Sequence, residues 1–478
     1  MAEHEPTAGE ATAPLPVPDD VVDLCKKLRH AGHEAWLVGG AVRDLLRGRD
    51  AKDYDVATSA KPTEVSAVFG KKRTIPTGEK HGTVTVLTER DGERAQVEVT
   101  TYRGEGAYSD GRRPDAITFV NSLDEDLKRR DFTMNAIAYD PLAIRLADPY
   151  GGRVDLSEHR IRAVGDPLER FREDGLRAMR AVRFAAQHEF TIDPPTEQAI
   201  AQALDVFAKV SAERVRDELV KILLSRRPSV GLELMRTTGL LGRTIPELLE
   251  GVGFHQNRHH AHDVWGHTLA AVDATTLGGD PPWLVRFAAL MHDVAKPRTA
   301  GDKPDAPGER TFYRHEHVGA GMADEIARRL KLSVKERETI VNLVGNHMFW
   351  YSAEWSDGTV RRFISRVGAE QLPGLFALRE GDVRARGHGE NPGVELDELK
   401  ARIAAEIAKS SALSLGDLAV GGADVMEVLG VPPGRVIGDV LRRLLERVLD
   451  DDSLNDKATL RAMIPAAAAE AGVPGAKA

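Results

Sequence analysis

Hydrophobic periodicity changes once along this chain, near Leu156, and that change limits its possible folds more than any other feature. Before it, Gly82–Thr88 (Gly-Thr-Val-Thr-Val-Leu-Thr) and Ala95–Tyr102 (Ala-Gln-Val-Glu-Val-Thr-Thr-Tyr) alternate with a period of two, as half-buried strands do. Ala35–Val38 and Asp53–Ala57 read as two further short strands, and Val21–His30 as a helix ending at Gly32. After it, helical spacing takes over. Helices are predicted over Leu168–Gln187, Pro195–Phe207, Ser211–Leu224, Ser229–Gly239, Ile245–Gly251, Trp265–Leu277, Leu284–Asp293, Val318–Leu330, Lys335–His347, Leu396–Lys409 and Val436–Leu449. Gly301–Glu309 reads as a loop. A chain of 478 residues is too long for one core. The expected fold is an α/β N-terminal head with a mixed sheet, followed by a long all-α remainder.

Composition narrows the class. A hydrophobic fraction of 42% fits a globular protein. The single cysteine, Cys25, excludes internal disulfides and a cysteine zinc cluster. No run approaches eighteen apolar residues, so no membrane span is expected. Met1–Pro16 is rich in Ala, Pro and Glu, lacks an apolar signal core, and reads as the disordered tail of a cytoplasmic protein. Ala466–Ala478 reads as frayed. A net charge of −9 does not advertise nucleic acid, although local basic patches matter more than the total.

Two clusters carry chemistry. In Asp53-Tyr54-Asp55, a strand would put both carboxylates on one face, where they repel unless a hard cation such as Mg²⁺ sits between them. Upstream, Gly39 and Gly40 allow close backbone approach to a ligand, and Arg43 adds a cation suited to phosphate. A phosphate cradle followed by a metal-binding carboxylate pair suits phosphoryl or nucleotidyl transfer. Glu98, between Val97 and Val99, is either a third carboxylate for that metal or a solvent-facing strand residue.

The second cluster is Asp174, Arg177, Arg180 and Arg183, recurring every three residues. On one helix, Asp174 and Arg177 would be neighbours, with Arg180 just below. A carboxylate only accepts and a guanidinium only donates. Cytosine and adenine both show an amine donor beside a ring-nitrogen acceptor, whereas uracil and guanine show the reverse. Such a pair could therefore accept C and A and reject U and G. The same spacing also fits an ordinary salt bridge on a solvated helix face.

These residues resemble the class II tRNA nucleotidyltransferases, the CCA-adding enzymes, which share a superfamily with bacterial poly(A) polymerases. The matching runs are Leu37-Val-Gly-Gly-Ala-Val-Arg-Asp44, Asp53-Tyr-Asp-Val-Ala-Thr58, Gly78-Glu-Lys-His-Gly-Thr-Val84, Glu98-Val-Thr-Thr-Tyr-Arg103, Arg129-Arg-Asp-Phe-Thr-Met-Asn-Ala136, Asp148-Pro-Tyr-Gly-Gly152 and Glu173-Asp-Gly-Leu-Arg177, in the family's order over roughly residues 20–225. The resemblance implies that Asp53 and Asp55 hold catalytic metal, with Glu98 beside them. It gives Gly39, Gly40, Arg43 and Arg130 to the triphosphate region. It gives Asp174 and Arg177 to the base, with Arg180 and Arg183 helping to hold the nucleotide.

Farther on, His267, His292-Asp293 and Asp382 resemble the ligand pattern of HD-domain phosphohydrolases, and Met291-His-Asp-Val-Ala-Lys-Pro297 resembles that family's central run. Such a site takes a divalent transition metal or Mg²⁺. His315 and His347 are spaced as ligands for a second ion, while His255, His259, His260 and His262 read as ordinary histidines. Gly421–Gly438 resembles the tail of these tRNA enzymes. There Gly434, Arg435 and Gly438 could meet an RNA phosphate, or form a plain helical hairpin, and Arg442 and Arg443 follow. The expected domains are a disordered tail (1–16), a nucleotidyltransferase head (17–155), a helical neck and body (156–254), an HD domain (255–392), a helical RNA-binding tail (393–465) and a disordered end (466–478). The expected function is template-independent addition of C, C and A to tRNA 3′ ends from CTP and ATP. Poly(A) synthesis, an HD phosphohydrolase with a degenerate head, and a nucleotide-sensing or RNA-binding protein without turnover are the alternatives. The oligomeric state cannot be read from the sequence.

Overall fold

The computed structural model describes residues 13–104, 118–256, 261–278, 281–303, 309–386, 393–409 and 412–472. They fall into two compact units, residues 1–246 and 247–478. Among the described residues, no helix is long and apolar enough to cross a membrane. The disordered-tail reading falls mostly on residues outside the described set, as do His259 and His260. Of the described part, Leu15 donates its backbone N–H to the Tyr139 hydroxyl at 3.2 Å.

The first unit is built on a seven-stranded sheet ordered β3-β4-β5-β2-β1-β6-β7. Its strands are β1 (Ala35–Val38), β2 (Tyr54–Thr58), β3 (Thr74–Gly78), β4 (Thr83–Arg90), β5 (Glu93–Thr101), β6 (Ala138–Asp140) and β7 (Arg145–Ala147). Every adjacent pair is antiparallel except β2 and β5, so the sheet is mixed. All four residues of β1 are buried, as its continuous apolar run requires of a central strand. The sequence reading missed β3, β6 and β7. Pro76 masks β3, which is tolerated because β3 is a mostly exposed edge strand. The other two have three residues each, too few to show a period.

Three corrections concern the helices; in the first, Pro195–Phe207 is two, Pro194–Gln202 and Leu204–Phe207. The single helix expected over Leu168–Gln187 is two, Pro167–Glu173 and Leu176–His188. Asp174 between them is extended (φ −143°, ψ 105°). A Cβ on Gly175 would lie 2.8 Å from the Phe207 backbone, so the chain turns where another backbone segment presses against it. The expected fraying of Ala466–Ala478 is also overturned for its described part. Lys457–Glu470 is a helix whose Ile464, Ala467 and Ala468 are buried with Val440, Leu444 and Val448. Alanine is the best helix former, and each larger apolar side chain buried here contributes about 1.5–3 kcal/mol.

In the second unit, Val264–Ala274, Trp283–Met291 and Leu372–Ala385 pack together, and His315–Arg329 packs on Val334–Asn346. The sequence reading missed helices Asp357–Val367, Leu372–Ala385, Gly422–Leu429 and Lys457–Glu470. The helical remainder also contains two-residue strand pairs, Arg160–Ile161 with Thr191–Ile192 and Gly301–Asp302 with Arg310–Thr311.

Candidate active site and metal-type cluster

In the first unit the glycine turn, a carboxylate and the arginine cluster meet at one cavity of about 500 Å³. Strand β1 is followed by Gly39, whose φ of +75° suits glycine. A Cβ there would lie 3.5 Å from Asp55 Oδ2 and 3.3 Å from Arg130 Nη1. Gly40–Leu46 forms a helix of only seven residues, so the cation beside the turn is a side chain, Arg43. Its guanidinium is held at both ends: it donates to both Asp44 oxygens at 3.0 Å and to Asn135 Oδ1 at 2.9 Å.

Strand β2 begins at Tyr54, so Asp53 lies in the preceding bend and is exposed, rather than sharing a strand face with Asp55. The parallel pairing of β2 with β5 sets Asp55 directly opposite Glu98. Burial, then the Glu98 charge, push the Asp55 carboxyl up to about 6; Arg130 opposes this and Asp53 adds to it. Three mutually repelling carboxylates, one holding its proton that high, fit a divalent cation that would take the proton's place.

Asp174 and Arg177 do not share a helix and do not pair with each other. Asp174 instead accepts from Arg214 (Nη2–Oδ2 2.6 Å, Nη1–Oδ1 3.2 Å) and from the Leu176 backbone N–H at 3.0 Å. Arg177 is tied to Glu173 at 2.5 Å and donates to the Arg170 and Arg129 carbonyls at 3.1 and 2.9 Å. Arg180 binds Asp131 at 2.5 Å, and Arg183 binds Glu218 at 2.5 Å. Burial alone would raise the Asp131 carboxyl, but Arg180 and Asn135 outweigh it and hold it well below the usual range. All four predicted residues still line the cavity, where seven arginines face three aspartates. The sequence reading assigned no site role to Arg129, Asp131, Asn135, Phe184 or Arg214. Phe184 carries the Arg43, Arg180 and Arg183 guanidiniums within 3.7–5.4 Å of its ring centroid. Arg214 sits in the first turn of Ala212–Leu223, recognisable only as a helix start.

The second unit gathers all six predicted histidine and aspartate residues. Among the described residues, two trios bring ligand atoms within 4.8 Å of one another: His267 with His292 and Asp293, and Asp293 with His315 and His347. Asp382 joins through His267 Nε2 at 3.1 Å. All six are buried. His292 Nε2 lies 3.2 Å and Lys296 Nζ 2.7 Å from Asp293 Oδ2. Burial would raise the Asp293 carboxyl, but His292 and Lys296 hold it well below the usual range. Burial pushes His347 down to about 3 and lowers His315, so both are neutral, as metal ligands must be. His315 Nε2 and His347 Nε2 lack hydrogen-bond partners. Buried, unpaired and converging donors fit a metal ion.

In the tail, Gly434 is extended and precedes helix Arg435–Asp450, with Arg435 exposed. Gly438 lies one turn in, beside Arg442 Nη2, and Arg442 pairs with Asp439 at 2.7 Å.

Three family models match: the poly A polymerase head domain over residues 35–162, the probable RNA and SrmB-binding site of polymerase A over 189–251, and the HD domain over 259–405. The CCA-adding enzyme of Geobacillus stearothermophilus is 35% identical over 449 residues, covering 93% of this chain and 96% of the relative. The chain belongs to the CCA-adding enzyme family. The Lactobacillus johnsonii CCA-adding enzyme is 49% identical over 229 residues, a match spanning 48% of this chain and only 54% of the relative. The A-adding tRNA nucleotidyltransferase of Deinococcus radiodurans is 38% identical over 425 residues, covering 86% and 91%. Among solved structures, the Bacillus stearothermophilus CCA-adding enzyme in complex with CTP matches with a TM-score of 0.67 at 32% identity, over 95% of this chain and 97% of that one. A family member of this layout is a tRNA nucleotidyltransferase with an appended HD domain.

Proposed function

We propose that the protein adds C, C and A to tRNA 3′ ends, using CTP and ATP and releasing pyrophosphate. The observation that carries this reading is the single cavity that contains Gly39, Gly40, Arg43, Asp55 and Arg130 together with Asp174, Arg177, Arg180 and Arg183. Asp55, with Asp53 and Glu98, would hold Mg²⁺. When bound there, the cation supplies activation of the terminal ribose 3′-OH and neutralisation of the triphosphate. Arg43 and Arg130 flank the glycine turn, where the triphosphate would lie. A cytoplasmic location goes with a tRNA substrate.

Base choice follows from donor counting. Asp174 accepts three hydrogen bonds from Arg214 and Leu176, and a carboxylate has about four lone-pair sites. One remains for an exocyclic amine. Arg177 spends both Nη1 hydrogens on Glu173 and Arg170 and one Nη2 hydrogen on Arg129. Its Nε–H and the other Nη2–H remain for a ring nitrogen. Uracil or guanine would leave these groups unpaired at about 1–3 kcal/mol each. The test is incubation with tRNA lacking its last three, two or one nucleotides and each labelled nucleotide. Growth of the shortest substrate by C, C and then A is expected. Extension of only the tRNA ending in CC, by A alone, would instead make the chain an A-adding enzyme; a long A tract would make it a poly(A) polymerase.

The buried histidine–aspartate cluster favours a second activity, metal-dependent phosphate-ester hydrolysis. His267, His292, Asp293 and Asp382 would hold a first divalent ion, and His315 and His347, sharing Asp293, a second. Bound metal supplies a water of lowered pKa. Lys296, against Asp293 and with cation character toward the same cavity, would orient a phosphate oxygen. In the tail, the start of helix Arg435–Asp450, with exposed Gly434 and Arg435 and half-buried Gly438, suits an RNA phosphate.

A further inference from the structure

The loop joining Val334–Asn346 to Asp357–Val367 carries His347-Met-Phe-Trp-Tyr351. Its side chains alternate: His347, Phe349 and Tyr351 are buried, while Met348 is 54% and Trp350 74% exposed. One side of this loop therefore serves the core and the other is turned out. Phe349, Phe363, Trp355 and Tyr351 brace one another, with successive ring centroids 5.2–5.8 Å apart. Among the described residues, Trp350 takes part in no such contact.

A cavity of about 600 Å³ opens here, lined by Trp350, Trp355, Phe363, Arg362 and Arg366, with Glu446 also on its wall. That volume is in the range of small-molecule sites, about 300–1,000 Å³. Arg362 is paired with Asp450. Arg366 lies 5.4 Å from the Phe363 ring centroid and has no carboxylate partner among the described residues. Met348 also lines the cavity of the histidine–aspartate cluster. Glu446 also lines a further cavity that carries Arg442 and Arg443. An exposed indole and a guanidinium with no carboxylate partner among the described residues, lining one cavity with a braced set of rings, are complementary to a flat ring bearing a negative charge.

We propose that this cavity binds a nucleobase carried on a phosphate, from a free nucleotide or the end of a single RNA strand. Trp350 stacks on the base and Arg366 meets the phosphate. The site is separate from the nucleotide cavity of the first unit and does not depend on its assignment.

The test titrates the full chain with AMP, with ribose 5-phosphate, and with a short single-stranded oligoadenylate, reading tryptophan fluorescence and, by equilibrium dialysis, stoichiometry. AMP or the oligonucleotide should quench saturably, and ribose 5-phosphate should not. Arg366→Ala should weaken binding about tenfold. Trp350→Ala should remove one binding site per chain, with nucleotide incorporation onto tRNA unchanged. Quenching by AMP alone assigns the site to a free nucleotide, and quenching by the oligonucleotide alone assigns it to a strand. The proposal is overturned by equal quenching with ribose 5-phosphate, by unchanged affinity in both variants, or by no saturable binding. Concentration-dependent quenching without ligand would seat a second copy there and overturn it as well.

Discussion

The two candidate sites hold their charged groups in opposite ways. In residues 1–246, most of the cavity's arginines are tied to a carboxylate or carbonyl, and the three carboxylates around Asp55 are left to repel. In residues 247–478, the ligands are buried, two trios sharing Asp293 each converge within 4.8 Å, and His315 Nε2 and His347 Nε2 are left without hydrogen-bond partners. The first arrangement is a rigid frame around an open cavity, completed by a substrate and its cation. The second is a set of buried, converging ligand atoms at the wall of a cavity of about 360 Å³. A polyanion is met by guanidiniums already fixed in place, whereas a metal ion is met by ligand atoms that already converge.

The sharpest way to break this comparison is to remove the carboxylate that the first site needs. Asp55→Ala should lower nucleotide incorporation by roughly a thousandfold or more, since the charge stabilisation at stake is several kcal/mol. Circular dichroism should remain native. Near-normal incorporation by a folded Asp53→Ala/Asp55→Ala enzyme would refute the metal assignment.

Next, His292→Ala with Asp293→Ala should abolish metal retention by the second cluster and any phosphate-ester hydrolysis. Incorporation of CTP and ATP should stay within about twofold of wild type if the sites act independently. Metal content by elemental analysis and product length on a gel decide it. Loss of CTP addition in a folded variant would mean that the sites are not independent.

Specificity gives a smaller effect. Asp174→Ala should relax discrimination against UTP by about 10–100-fold, the worth of an unpaired buried group. Arg214→Ala should do so by a lesser factor, because it frees Asp174 without deleting the acceptor. Arg177→Ala should weaken CTP and ATP, and Arg43→Ala all four nucleotides alike. The readout is kcat/KM for four nucleotides. A uniform loss in the Asp174 variant would make that residue structural.

The smallest expected effect is a linkage of pH to cation binding. Asp55 is raised to about 6 in the folded chain. Without a cation, the folded state therefore loses stability as pH rises from the unfolded carboxyl value, about 4, to about 6. A bound cation cancels that loss. Mg²⁺ should stabilise the protein more near pH 7.5 than near pH 5, by about 1–2 kcal/mol after allowance for solvent screening. Asp55→Asn should remove the difference; a Tm shift by Mg²⁺ that is equal at both pH values would contradict it.

Much of this molecule was legible before its structure. Short-range signals did best: the glycine turn at Gly39 and His292-Asp293 occupy neighbouring positions, so local chemistry names them, whereas Asp53 lies in the bend before the strand that carries Asp55 and does not share its face. Signals longer than one element but shorter than the fold failed. The period-three row from Asp174 to Arg183 predicted one helix, but the backbone at Phe207 breaks it at Gly175. Asp382 was named although its helix, Leu372–Ala385, was not, because that helix buries apolar and polar residues together and shows little amphipathic contrast.

By itself, the sequence determined the order of an α/β head before helices, the family, and the residue types that carry charge and metal affinity. These depend on period and on motifs whose members are close in the chain. Tertiary structure alone decided who pairs with whom. Parallel strand pairing put Glu98 beside Asp55, and packing of Ala212–Leu223 brought Arg214 to Asp174 across forty positions. Folding also turned scattered histidines into one buried cluster, and an alternating loop into a cavity with an exposed Trp350. Side-chain partners are chosen by proximity in space, and proximity is set by the packing of apolar faces, which no local pattern records.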